Sequence, residues 1–74
     1  MTPPPVLAVD VRDMLCAQAL ALVAKTMGRL APGEALEVRY NAEDVRRDLV
    51  IWARERGYPV TPGDATTMQM QRQA

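Results

Sequence analysis

Histidine and phenylalanine are absent from this chain of 74 residues, and cysteine occurs once. One thiol and no imidazole leave no ligand cluster for zinc, and a single cysteine cannot form an internal disulfide. Aromatic residues make up only 4% of the chain, which leaves no base-stacking pair for RNA. Neither a phosphate-cradling glycine loop nor a paired carboxylate site is present, so neither a metal nor a cofactor is expected and hydrolase chemistry has no support. Charge of one sign is not in excess either: Lys+Arg and Asp+Glu number nine each. The overall field therefore draws in no nucleic acid, and none is expected to bind directly. No apolar run reaches membrane-spanning length, and Met1-Thr2-Pro3-Pro4-Pro5 lacks the basic and apolar parts of a signal peptide. With a lone thiol that suits a reducing compartment, these absences point to a cytoplasmic protein with no membrane partner.

What is present is a small aliphatic domain, 49% hydrophobic. A chain this short holds one core, with a net stability of roughly 3–5 kcal/mol. Residues 1–5 read as a flexible proline-rich leader and residues 6–74 as a single domain. From Val6 to Val11 the pattern is a strand, with Leu7, Val9 and Val11 on one face. Residues 16–30 form a helix apolar nearly all round, expected to be mostly covered, with Gln18, Lys25 and Arg29 along one side. Pro32 and Gly33 end it. Ala35 to Tyr40 alternates cleanly, with Leu36, Val38 and Tyr40 facing one way. Asn41 reads as the N-cap of a second helix, with Asp44 completing an approximate capping box. That helix runs to about Arg56, burying Val45, Leu49, Trp52 and Ala53, and Gly57 closes it. A turn at Thr61-Pro62-Gly63-Asp64 then joins two short strands, the second with Met68 and Met70 inward. The order is β-α-β-α-β-β. The expected fold is an α+β two-layer sandwich: a four-stranded mixed sheet with two helices on one face.

Cys16 opens the first helix. A thiol in a first turn faces unpaired backbone N–H groups and the positive end of the helix dipole, both of which favour the thiolate. The bland alternative is a small buried hydrophobe, a common fate of free cysteine.

Around Cys16 the chain is similar to a known family. It resembles the TusA/SirA-like sulfur carriers, whose lead-in is Asp-x-Arg-Gly-x-x-Cys-Pro-x-Pro; Asp10, Arg12 and Cys16 fall at the matching spacings. Leu30-Ala31-Pro32-Gly33-Glu34-Ala35-Leu36-Glu37-Val38 is similar to the family's helix-to-strand connection. Asp48-Leu49 with Trp52, then Gly57-Tyr58, is similar to its second helix and exit. Three positions depart: the family glycine is Asp13, and the prolines after the cysteine are Ala17 and Ala19. Alanine still supports the helix. The charge of Asp13 is expected to raise the thiol pKa and oppose the dipole.

The resemblance implies a sulfur carrier or sulfurtransferase in which Cys16 takes sulfur from a donor persulfide and passes it on. Implied donors are a cysteine desulfurase or a rhodanese-like protein. Implied acceptors feed tRNA thiolation, molybdenum-cofactor maturation or sulfur oxidation. The alternative is a non-catalytic interaction or regulatory module that keeps the fold with an unreactive Cys16. Asp10, Arg12 and Asp13 are the residues expected to shape the site, Arg12 by pairing with Asp10 or Asp13, or by favouring the thiolate. Arg46 and Arg47 are a candidate docking patch for a partner, or else part of a solvated face. Met68 and Met70 belong either to the core or, with the open sheet face, to a homodimer surface.

Overall fold

Strand alternation and helical periodicity resolve into six elements in a computed structural model that describes residues 4–73. They are β1 (Pro5–Asp10), α1 (Cys16–Met27), β2 (Ala35–Arg39), α2 (Glu43–Arg56), β3 (Val60–Pro62) and β4 (Thr67–Gln71). The sheet order is β1-β2-β4-β3, with β1 parallel to β2 and the other two pairs antiparallel. Parallel pairing of β1 with β2 requires a crossover, and α1 is that crossover. The result is the expected mixed sheet with two helices on one face.

The core lies between the layers. Leu36, Val38 and Tyr40 from β2 and its end, and Met68 and Met70 from β4, meet Ala19, Val23 and Met27 of α1 and Val45, Leu49 and Ala53 of α2. The 45-49-53 spacing keeps one stripe of α2 turned inward. Met68 and Met70 are 2% and 0% exposed, so they are core and offer nothing to a homodimer surface. The residues paired across the open face, Glu37 with Gln69 and Arg39 with Thr67, are polar.

Several boundaries differ from the sequence reading. β1 begins at Pro5, one residue inside the leader, while residues 1–3 lie outside the described residues. α1 stops at Met27 rather than at residue 30. The chain tightens there, with Arg29 N–H donating to Thr26 O at 3.0 Å and Leu30 N–H to Met27 O at 3.2 Å, and this drops Leu30 into the core. The guanidinium of Arg72 donates to the carbonyls of Met27 and Gly28, both at 3.4 Å, placing a cation at the negative end of α1.

Most of α1 is buried or partly buried, as expected, but one side stays open. Ala17, Ala21 and Ala24 are exposed, because alanine forms helix well and costs little in water. Trp52 is half-buried rather than core. It flanks the inward stripe of α2, so its ring spreads over the edge, 5.6 Å from the Tyr58 ring and with the Arg56 guanidinium 5.7 Å above it. Thr61 and Pro62 belong to β3, and the turn follows them.

Candidate functional site

Both helices begin at the same end of the sheet, after the parallel strands β1 and β2, and this brings Cys16 beside the first turns of α2. The approach to α1 is fixed by side chains. Asp13 has φ +63°, in the left-handed region that glycine enters freely and Asp enters more readily than most residues. Its N–H donates to Asn41 Oδ1 at 3.0 Å, and Asn41 Nδ2 donates back to Asp13 Oδ1 at 2.8 Å. These two bonds tie the β1–α1 connection to the β2–α2 connection. They also explain why Asn41 is not the cap of α2: its amide serves Asp13, and Ala42 takes the N-cap position without a side-chain bond.

Asp10 and Arg12 form a forked pair. Arg12 Nε donates to Asp10 Oδ1 at 3.0 Å, Nη2 donates to Oδ2 at 2.7 Å, and the Arg12 N–H adds a 3.0 Å bond to Oδ1. The side-chain bonds of Arg12, foremost, hold the Asp10 carboxyl down at about 2. Arg12 is thus committed to closing the turn, and nothing in the geometry aims it at the thiol.

Leu15 is the N-cap residue of α1 and Cys16 its first helical residue. Gln18 Oε1 accepts from Leu15 N–H at 3.1 Å, supplying half of a capping box. Leu15, the residue before Cys16, is 73% exposed. Cys16 itself is half-buried, neither sunk in the core nor fully in water. Its Sγ–H donates to Asp44 Oδ2 at 3.8 Å.

The electrostatics reverse the simple dipole expectation. The thiol pKa is pushed up, first by the Asp48 carboxylate, then by burial, then by the charges of Asp44 and Asp48. Asp13, expected from the sequence to supply that negative charge, is turned to Asn41 instead and contributes none of these effects. Asp44 and Asp48 are the residues that sequence reasoning missed. Their i,i+4 spacing put them on one helix face, but only the packing of α2 against α1 shows which face meets Cys16.

Arg46 and Arg47 do not act as one patch. Arg46 hydrogen-bonds to Glu43 and lines a cleft of about 390 Å³ with Tyr40, Val50, Arg54 and Tyr58. That cleft opens between α2 and β3, on the flank of α2 away from Cys16. Arg47 is exposed and outside it.

A half-buried thiol at the first position of a helix, on a β-α-β-α-β-β sandwich with no second thiol, defines a small single-cysteine thiol protein. Comparison with family models makes the class specific: the model described as Sulfurtransferase TusA matches residues 7–68. The match covers all of α1 and α2, and the chain belongs to that family. A search of curated proteins found no match. Among the described residues no helix is long and apolar enough to cross a membrane.

Proposed function

We propose that this protein carries sulfur as a persulfide on Cys16. The observation that supports it is the placement of Cys16, half-buried at the first position of α1 in a chain of the TusA family. In loading, the Cys16 thiolate attacks the outer sulfur of a donor persulfide and the donor thiolate leaves. In discharge, an acceptor attacks the outer sulfur on Cys16, and the Cys16 thiolate leaves. One cysteine suffices because each step takes its second sulfur from a partner. In this reading the unpaired N–H groups at the start of α1 favour the charge that develops on the sulfur. With proline absent at position 17, Ala17 contributes one more N–H than the family pattern has.

The donor in this reading is a cysteine desulfurase or a rhodanese-like protein in the cytoplasm. The acceptor lies in tRNA thiolation, molybdenum-cofactor maturation or sulfur oxidation. Exposed Leu15, which precedes Cys16 in the chain, offers a partner an apolar contact near the start of α1. Incubation with a desulfurase, cysteine and radiolabelled sulfur tests the reading. Label on the wild type and none on Cys16→Ser supports it; an unlabelled wild type contradicts it.

A second reading has one observation in its favour, the raised pKa of the thiol beside Asp48 and Asp44. In it the fold serves as an interaction module and Cys16 is chemically idle. A partner recovered equally by wild type and Cys16→Ser, neither of which accepts sulfur, would favour this reading.

A further inference from the structure

Asp44 and Asp48 stand one turn apart on the flank of α2 that meets the start of α1. Asp44 Oδ2 accepts the hydrogen bond of Cys16 at 3.8 Å, and Asp48, one turn further along α2, adds its negative influence to the same thiol. Among the described residues neither carboxylate has an ion-pair partner: Arg12 is held by Asp10, Arg39 by Glu37 and Arg46 by Glu43. Among the described residues no other charged group, exposed Arg47 on α2 included, shifts the thiol. From the preceding connection Asp13 is turned to Asn41, and the one charged residue of α1, Lys25, lies in its last turn. Two carboxylates without ion-pair partners on one flank of α2 therefore act on a thiol whose position in the helix would otherwise favour ionisation.

We propose that Asp44 and Asp48 are positioning residues that hold Cys16 as a resting thiol and so brake both halves of sulfur transfer. The inference rests on the carrier reading for its consequence, though not for its test. Loading forms the bond from Cys16 Sγ to the outer sulfur, breaks the donor S–S bond and releases the donor thiolate; the Cys16 proton passes to solvent. Discharge forms the bond from that sulfur to an acceptor thiolate, breaks the Sγ–S bond and releases Cys16 as a thiolate. Sulfur moves with no net oxidation in either step. Both steps pass through the Cys16 thiolate, the species that neighbouring carboxylates disfavour by charge. A higher pKa leaves less thiolate to attack and makes Cys16 a poorer leaving group. Loading is slowed less than the thiolate fraction alone implies, because intrinsic nucleophilicity rises with pKa at a Brønsted slope of about 0.4–0.5.

The test needs no sulfur donor. Iodoacetamide alkylation of Cys16 is followed against pH for the full chain, for Asp44→Asn, for Asp48→Asn and for the double variant. Each single substitution is expected to move the profile to lower pH and raise the rate at neutral pH several-fold, and the double variant more. Asp44→Glu should retain the wild-type profile, and Glu55→Gln, a carboxylate lost from the far end of α2, should leave it unmoved. Asp44 is exposed, so Asp44→Asn decides the matter even if Asp48→Asn fails to fold. A double variant or an Asp44→Asn protein with native circular dichroism and an unmoved profile overturns the inference. A wild type that accepts no sulfur overturns only the carrier reading. Where sulfur is accepted, its discharge from Asp44→Asn to dithiothreitol should be several-fold faster than from wild type, and an equal rate counts against the brake.

Discussion

Asp13 shows how a departure from the family pattern can leave a fold intact. The family's glycine stands where the backbone is left-handed, and this chain holds an Asp there at φ +63° with two bonds to Asn41. Asp13→Ala loses the side-chain bond and keeps the unfavourable conformation, so it should lower stability by about 1–2 kcal/mol. Asp13→Gly removes the same bond but relieves the conformation, and should cost less. Urea unfolding of the two variants checks the order, and an alanine variant as stable as the glycine one would contradict it. Asp10 gives a pH signature at the same scale. Arg12 lowers its carboxyl from 3.8 to about 2 in the folded state. The contribution of the pair to stability is thus complete above 3.8 and is lost as pH falls toward 2. The pair is exposed and the effect modest, but Arg12→Gln should flatten the acid limb of a stability–pH curve in that window. An unchanged limb would mean the pair adds nothing.

The start of α1 carries the other departures, and Ala17 and Ala19 are not equivalent. Ala17 is exposed and in the first turn, where proline is tolerated because its N–H has no helical partner. Ala19 is fully buried and its N–H donates to Leu15 O at 2.9 Å. Ala17→Pro should therefore change stability by less than about 1 kcal/mol, whereas Ala19→Pro should cost about 1–3 kcal/mol. Thermal melts of both variants check the contrast, and equal melting temperatures would contradict it. Gly57 ends α2 at φ +77° with open space around the missing Cβ, so Gly57→Ala should cost about 1 kcal/mol through conformation alone. Most of this level was legible in the sequence. The Leu36-Val38-Tyr40 alternation, the 45-49-53 stripe and the glycine after α2 each follow from one local rule. Element ends were less legible because tertiary bonds decide them: Leu30 is drawn into the core and shortens α1, and Asn41 serves Asp13 rather than α2. The sequence pattern also could not show which side of α1 stays open, since an exposed alanine reads the same as a buried one.

For the whole molecule, the parallel β1–β2 pair sets both helix starts at one end of the sheet, and the site is made there. The sequence showed Cys16 at a helix start and Asp10, Arg12 and Asp13 in its approach. It placed the opposing charge on Asp13 because that residue is a near neighbour in the chain. The carboxylates that reach the thiol, Asp44 and Asp48, are distant in sequence and come from helix packing, which no local pattern encodes. The molecule also separates its features: the thiol and its acidic pair lie on one flank of α2, and the Arg46–Arg54 cleft on the other. The measurement that tests the central claim most directly is intact mass after exposure to a cysteine desulfurase with cysteine, for wild type and Cys16→Ser. The account predicts that the wild type gains the mass of one sulfur atom, removable by dithiothreitol, and that Cys16→Ser gains none. A wild-type mass that stays unchanged while Cys16 remains open to alkylation would contradict it.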